Sequence, residues 1–526
     1  MNILPDINNS PTARLWQSIG ISTKHGVCVP LFSLHTQESC GIGEFLDLLP
    51  FITWCKQLGF HIIQLLPLND TGEDTSPYNS ISSVALNPLF LSLRKLPHVM
   101  AVPQAHQKLQ EMHKLCHLSS VNYTQVKASK WMFLKEYYQH HGYKESKENN
   151  EFLAFIERES YWLMPYGVFR AIKYHMKGAP INNWPKPLTD IHNFSYLEKQ
   201  FQEEMLFFAY LQFLCYRQMN EVKAWADKHN ILLQGDLPIL ISKDSCDVWY
   251  FRQYFSSSQS VGAPPDIYNA EGQNWHLPIY NFTNLIQDHY IWWKERLRYA
   301  ENFYSLYRLD HIVGFFRFWV WDPSGNGKFI PEHPEDYIKQ GKEILSTLIH
   351  ASSMLPIGED LGDVPQKVKQ TLQKLGICGI RIPRWERNWR GNEEFIPLEN
   401  YSPLSVTSLS THDSDTLALW WQDAPKEAQQ FAEFLGLPFT RHLSQENQKN
   451  ILKLSHQSGS IFHINLFNDY LALCPDLVSK NLYHERINSP GTISKNNWVY
   501  RVRPSIEQFS THEKLNIYIE EILPKP

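Results

Sequence analysis

Residues 305–311 read Ser-Leu-Tyr-Arg-Leu-Asp-His, a short apolar segment that ends in charged side chains. Apolar and polar side chains alternate from Leu306 to Leu309, which predicts a short, half-buried strand with Asp310 at its carboxyl end. Because side chains alternate along a strand, Arg308 and Asp310 point to the same face. A neighbouring positive charge favours an ionised carboxylate, as a nucleophile requires. An ion pair that merely closes a strand explains these residues equally well.

Further apolar runs predict more strands, and stretches with helical spacing of apolar residues separate them. The predicted strands are residues 26–34, 61–68, 231–238, 306–309, 355–359, 378–382, 405–410 and 461–466. This alternation predicts an α/β fold, a (β/α)₈ TIM barrel with helical and loop insertions, whose sites lie at the carboxyl ends of the strands. A doubly wound open sheet is the alternative, but the sequence has no GxGxxG phosphate loop.

The sequence predicts three regions along the chain. Residues 1–101 form the first part of the barrel, and residues 102–230, in which charged residues are frequent and apolar residues recur at helical spacing, form a mainly helical insertion. Residues 231–526 complete the barrel and include a loop at 262–282. No β-sandwich domain is expected at the carboxyl end.

Composition excludes several classes of protein. Lys and Arg total 49 against 54 Asp and Glu, giving a net charge of −5, so no nucleic-acid partner is expected. The chain has no apolar run of the roughly 18 residues that a membrane span requires. Its eight cysteines are scattered without a CxxC pair, which indicates reduced thiols in a soluble, cytoplasmic protein. The 17 Trp, 25 Tyr and 29 Phe are an unusually large aromatic content. Aromatic side chains of this kind either fill a core or offer flat surfaces on which sugar rings can stack.

Three carboxylates follow three different predicted strands: Asp310, Glu359 and Asp413. Barrel closure brings these strand ends around one pocket. Two carboxylates can divide the work of a retaining glycosidase, since one attacks the anomeric carbon and the other protonates the leaving oxygen. The third can stabilise the positive charge of the transition state.

Several motifs together carry a resemblance to a known family. They are SPYNS (76–80), GDLP (235–238), GAPPDIYNAEGQNWHLPIYNF (262–282), RLDH (308–311), GEDLG (358–362), THDSDT (411–416) and RINSPGT (486–492) with Asn497-Trp498. In these motifs the chain resembles the 4-α-glucanotransferases (amylomaltases, or disproportionating enzymes) of glycoside hydrolase family 77. The resemblance runs over most of the chain.

The resemblance implies a function and a set of roles. The enzyme would transfer 4-α-glucanosyl segments from one α-1,4-glucan or maltooligosaccharide to the 4-hydroxyl of another glucan or glucose, through a covalent intermediate with retention. Asp310 would be the nucleophile, Glu359 the acid/base and Asp413 the transition-state stabiliser. Substrate contacts would come from Arg308, His412, Asp236, Tyr78, Asp266, Gln273, Trp275 and Asn488. The resemblance implies no cofactor and no metal.

Three other functions are compatible with parts of the pattern. An α-1,4-glucan hydrolase of the α-amylase clan shares the three carboxylates and differs only in what attacks the intermediate. His311 and His412 with Asp310 and Asp413 would suit a metal-dependent hydrolase, although the positive charge of Arg308 repels a cation. A non-catalytic glycan-binding protein needs aromatic and polar groups but no nucleophile and acid at separate strand ends.

Overall fold

Strands and helices alternate through most of the chain. The computed structural model describes residues 7–265, 271–389, 391–492 and 494–524, apart from the side chain of Ser257. The described strands, in chain order, are β1 Lys24–Val29, β2 Ile62–Leu65, β3 Leu232–Leu237, β4 Phe255–Ala263, β5 Gln273–Tyr280, β6 Leu306–Leu309, β7 Phe318–Trp321, β8 Gly327–Ile330, β9 Leu355–Gly358, β10 Gly379–Arg381, β11 Ser405–Thr407 and β12 Phe462–Leu466.

Eight of these strands form a parallel sheet in the order β10-β11-β12-β1-β2-β3-β6-β9. Ile357 of β9 forms a further parallel bridge with Cys378, the residue before β10, so the two edges of the sheet meet. The eight strands of this sheet have buried side chains along nearly their whole length, as expected where helices cover the outside of a barrel and side chains fill its inside. The predicted (β/α)₈ barrel is confirmed.

The helices precede, separate and follow the barrel strands. In chain order they are α1 Ala13–Ile19, α2 Leu48–Leu58, α3 Ala105–Lys114, α4 Tyr123–Tyr137, α5 Tyr143–Glu148, α6 Asn150–His175, α7 Lys186–Thr189, α8 Phe194–Gln200, α9 Gln202–Lys228, α10 Cys246–Tyr250, α11 Phe282–Gln287, α12 Ile291–Ala300, α13 Pro334–Ala351, α14 Gln366–Leu375, α15 Leu417–Asp423, α16 Pro425–Phe434, α17 Gln445–Ser455, α18 Phe467–Leu471, α19 Ile506–Ser510 and α20 Glu513–Ile522. Helices α3 to α9 lie between β2 and β3. Among the helices of the described ranges, none has the length and apolar composition needed to cross a bilayer.

A second sheet stands apart from the barrel sheet. Its strands are antiparallel, in the order β5-β4-β7-β8. Gly262 of β4 lies so close to β5 that an added Cβ atom would be 1.8 Å from the Gln273 carbonyl oxygen, so only glycine fits there. The sequence predicted a loop at residues 262–282. In the described part of this segment, the structure instead has the end of β4 and all of β5.

Candidate active site

A cavity of about 550 Å³ lies at the carboxyl ends of the barrel strands. Asp310 follows β6 directly and Glu359 follows β9 directly, whereas Asp413 lies six residues beyond β11. The cavity is lined by these three carboxylates and by Tyr78, Pro238, Ile239, Leu240, Gly272, Gln273, Asn274, Trp275, Leu277, His311, Asn488, Pro490, Gly491 and Trp498. Barrel closure thus brings side chains that are far apart in sequence to one pocket.

Arg308 connects the carboxylates of three neighbouring strands. In the parallel pairing of β3 with β6, Arg308 lies opposite Asp236, and its Nη1 donates to both Asp236 oxygens at 2.8 Å. The same nitrogen lies 2.9 Å from Asp310 Oδ1, and Nη2 lies 3.9 Å from Glu359 Oε2. Burial opposes the charge of Arg308, but Asp236 and Asp310 together raise its pKa well above the usual value. The guanidinium therefore stays charged beside all three carboxylates.

Glu359 is held by two backbone amides. His311 N donates to Oε2 at 2.9 Å and Leu361 N donates to Oε1 at 2.8 Å, which fixes the carboxyl group in the pocket. His311 adopts a left-handed φ of 46°, an unusual conformation for a residue with a side chain. Burial raises the pKa of Glu359 to about 7, against the opposing effect of Arg308. The group can therefore both give and take a proton near neutral pH.

Asp413 has the opposite electrostatic environment. Asn488 Nδ2 donates to its Oδ1 at 2.7 Å, and His412 Nε2 lies 3.4 Å from its Oδ2. Partial desolvation in the pocket opposes ionisation of Asp413, whose side chain is 45% exposed, but the charge of His412 and the hydrogen bond from Asn488 lower its pKa to about 2. Burial likewise opposes protonation of His412, yet Asp413 raises its pKa. Asp413 is therefore a permanent negative charge in the working pH range.

Tyr78 joins the two sides of the pocket. Its hydroxyl donates to Asp236 Oδ2 at 2.6 Å, and its ring stacks on that of His412 with centroids 5.0 Å apart and planes at 16°. Burial raises the pKa of Tyr78 well above its usual range, so the hydroxyl remains a donor. The long loop after β2 thus supplies a side chain that orients both Asp236 and His412.

The second sheet supplies the outer wall of the cavity. Trp275 and Gln273 of β5 both line it, and Trp275 Nε1 donates to Gln273 Oε1 at 3.1 Å. The Trp275 ring meets that of His311 edge-on, with centroids 5.1 Å apart and planes at 87°. Asp266, predicted to contact substrate, lies outside the described residues. Seven of the eleven predicted site residues line the cavity. Three more, Arg308, Asp236 and His412, each contact a residue that lines it.

Two contributions to the pocket are missing from the sequence-based set. Trp498 lines the cavity, with its ring 5.6 Å from that of Tyr78 and 5.9 Å from that of His412. Its place in the Asn497-Trp498 motif was the available signal. The backbone amides that hold Glu359 had no signal in the sequence, because they depend on the conformation of residues 311 and 361.

The four residues considered as ligands for a metal-dependent hydrolase do not form a metal-binding group. Within the described residues, one group of three or more His, Cys, Asp or Glu has its ligand atoms within 4.8 Å of one another, and that group does not include Asp310, His311, His412 or Asp413. The Arg308 guanidinium also occupies the position beside Asp310. The geometry therefore favours carboxylate chemistry in this pocket.

Comparison with known proteins agrees with this geometry. The family model for 4-alpha-glucanotransferase, glycoside hydrolase family 77, matches residues 29–507. The chain is 69% identical over 523 residues to a 4-alpha-glucanotransferase of Chlamydia pneumoniae, and 67% identical over 519 residues to that of Chlamydia caviae. These alignments cover 99% of this chain, and 99% and 98% of the two relatives.

A solved structure supports the fold independently. An amylomaltase from Streptococcus agalactiae in complex with acarbose superimposes with a TM-score of 0.81 at 22% identity, covering 95% of this chain and 98% of that one. The barrel, the pocket at its strand ends and the sequence similarity over nearly the whole length lead to one assignment. The chain belongs to glycoside hydrolase family 77, the 4-alpha-glucanotransferases.

Proposed function

We propose that this enzyme transfers 4-α-glucanosyl segments between α-1,4-glucans by double displacement with retention. The observation that carries the proposal is the pair Asp310 and Glu359, which follow neighbouring strands, lie on either side of Arg308, and line one cavity. The donor is an α-1,4-glucan or maltooligosaccharide, and the acceptor is another glucan or glucose.

In the first step, Asp310 attacks the anomeric carbon of the donor. The glycosidic C–O bond breaks as the Asp310–carbon bond forms, and Glu359 gives its proton to the departing 4-oxygen. The pKa of Glu359, raised to about 7 by burial, keeps that proton available at neutral pH. A shortened glucan leaves, and the remaining segment stays attached to Asp310.

In the second step, the 4-hydroxyl of an acceptor attacks the same carbon. Glu359, now ionised, removes the hydroxyl proton, and the bond to Asp310 breaks, so two inversions give net retention. For this mechanism the carboxyl oxygens of Asp310 and Glu359 should lie about 5–5.5 Å apart, whereas roughly 6.5–9.5 Å would instead accommodate an inverting water.

The remaining polar groups bind and polarise the sugar. Asp413, ionised because of His412 and Asn488, stabilises the oxocarbenium-like transition state. His412 and Asp236 present hydrogen-bonding groups to the ring hydroxyls at the point of cleavage. Tyr78, which contacts both, keeps them in position. We assign Asp266 to the same substrate contacts from the sequence motif alone.

Transfer rather than hydrolysis requires that an acceptor compete with water. Water is in large excess, but well-oriented groups reach effective concentrations of about 10⁵–10⁸ M. Trp275 offers a flat face on which a glucose unit can stack, and Gln273 beside it offers an amide. Because β5 is fixed by its pairing with β4, these side chains are held over the cavity before the acceptor arrives.

A labelled acceptor tests this proposal. With maltotriose as donor and isotopically labelled glucose as acceptor, we expect label at the reducing ends of maltose and longer oligomers. Label that stays in free glucose while maltotriose is consumed would support the α-glucan hydrolase instead. We further expect the enzyme to work in the cytoplasm, as its scattered cysteines indicate, all eight of which are buried as free thiols.

A further inference from the structure

Three histidines meet at the end of the barrel opposite the active site. His25 is the second residue of β1, His463 is the second residue of β12, and the two are paired in the parallel register. His456 follows helix α17 directly. One ring nitrogen from each lies within 4.8 Å of the others, and this is the group of potential metal ligands found in the described ranges.

Two of the separations within this group are close to those of a tetrahedral metal site. His25 Nδ1 lies 3.0 Å from His456 Nδ1 and 3.2 Å from His463 Nδ1. Zinc binds imidazole nitrogen at about 2.0–2.1 Å, so two ligands of a tetrahedral ion are separated by roughly 3.3–3.4 Å. His25 Nδ1 is therefore near a ligand separation from each of the other two nitrogens, and movement of the rings within the 4.8 Å spread of the group would bring all three to one ion.

Hydrogen bonding alone does not satisfy these contacts. A neutral imidazole nitrogen carries either one hydrogen or one lone pair, so His25 Nδ1 makes one linear hydrogen bond although it faces two nitrogens. Whichever nitrogens of the three neutral rings carry the hydrogens, one of the two contacts of His25 Nδ1, with His456 Nδ1 or with His463 Nδ1, lacks a well-directed hydrogen. An ion that accepts all three lone pairs removes this conflict.

The far sides of two of the rings have partners that fix or allow the metal-binding tautomer. His463 Nε2 lies 3.3 Å from the Ser458 carbonyl oxygen, which can only accept, so its partner favours the tautomer with a free Nδ1 lone pair. His456 Nε2 lies 2.6 Å from the Tyr470 hydroxyl, which can accept its hydrogen, and 3.3 Å from Asn465 Nδ2. Metal-bound histidines commonly donate their second ring N–H to such oxygens, which fixes the ring and directs the other lone pair toward the metal.

We propose that His25, His456 and His463 bind one Zn²⁺ through their Nδ1 atoms and that the ion stabilises the closed barrel. The ligands come from the first and last strands of the barrel and from the residue after the helix that precedes the last strand, with His25 separated by 431 and 438 residues from the other two. An ion held by all three binds the folded chain and not the unfolded one, so it stabilises the fold by mass action. A solvent molecule would complete the tetrahedron.

The test measures bound metal in matched variants. Wild-type protein, His463→Gln, Tyr470→Phe and the control His113→Gln are expressed with zinc in the medium, dialysed against a weak chelator and analysed by atomic absorption. His113 lies beside His117 in a second group of histidines, with ring centroids 5.2 Å apart, so it reports zinc that binds elsewhere. We expect about one zinc per chain in the wild type and the control, and near zero in His463→Gln. Tyr470→Phe keeps the three ligands but should weaken zinc binding about 10–100-fold.

Two further measurements keep the proposal testable if His463→Gln does not fold. Cobalt(II) added to metal-free wild-type protein should give the strong visible absorption of a tetrahedral site, and zinc should abolish it. Zinc removal should lower the melting temperature while leaving glucan transfer unchanged well below that temperature, because the active site is at the other end of the barrel. Wild-type protein without zinc, a weak octahedral cobalt spectrum, or zinc that is lost with His113 rather than His463 would overturn the proposal.

Discussion

Replacing Glu359 with Gln separates its proposed role as a proton donor from its role in binding. Gln keeps the shape of the side chain but has no acidic proton, so natural glucans should react about 10²–10⁴-fold more slowly. This loss corresponds to about 2.7–5.4 kcal/mol in the activation barrier. The structure adds a second effect: His311 N and Leu361 N each donate to a different Glu359 oxygen, and the Gln amide offers only one. One backbone donor loses its acceptor, which lowers stability by about 1–3 kcal/mol.

The assay compares two donors. An α-glucosyl fluoride needs little protonation of its leaving group, so Glu359→Gln should form the intermediate on Asp310 at a nearly normal rate. Release to an acceptor hydroxyl needs Glu359 as base, so the intermediate should accumulate and appear by mass spectrometry on the peptide containing Asp310. Activity is compared at a temperature at which circular dichroism shows the variant to be folded.

Two control variants make the result specific. Asp310→Asn should fail with both donors, because it lacks the proposed nucleophile. Glu386 is another carboxyl whose pKa burial raises, but it does not line the cavity, so Glu386→Gln should leave both rates unchanged. Equal losses in the rate of intermediate formation from glucan and from fluoride in Glu359→Gln would refute the assignment of Glu359 as the acid.

Three further outcomes follow from the site. Arg308→Met leaves the buried Asp236 carboxylate without its partner and should lower the free energy of unfolding by about 3–5 kcal/mol in urea titrations; an unchanged midpoint would contradict the role of this ion pair. Trp275→Ala should raise the ratio of hydrolysis to transfer without abolishing donor cleavage, and an unchanged ratio would remove this side chain from acceptor binding. The kcat/KM for glucans should fall tenfold per pH unit above about pH 7, because Glu359 loses its proton there. The kcat/KM for a glucosyl fluoride should not fall in this way, because its leaving group needs little protonation.

The barrel could be predicted because each of its strands carries a local signal. The run from Leu306 to Leu309 and the apolar stretch at 461–466 both indicate strands within a few residues of their observed bounds. Asp310 and Glu359 could be placed because a residue that follows a barrel strand reaches the active-site face whatever the surrounding loops do. This logic needs only the position of the strand end.

The second sheet could not be predicted in the same way. Strand β4 contains a run of serines and Gly262, which locally resemble a loop, and it becomes a strand by pairing with β5 and β7. The position of Trp498 beside Tyr78 likewise depends on how two distant loops fold together. The histidine group could not be predicted, because residues 25, 456 and 463 have no metal-binding spacing in sequence. The parallel pairing of β1 with β12 places His25 beside His463.

Reaction of the unmodified enzyme with maltotriose alone tests most directly whether it transfers glucan segments. Each transfer breaks one α-1,4 bond and forms another, so the number of reducing ends does not change. We expect glucose, maltose and oligomers longer than maltotriose to appear while total reducing ends stay nearly constant. Reducing ends that rise in step with product, with no oligomer longer than maltotriose, would contradict transfer and identify a hydrolase.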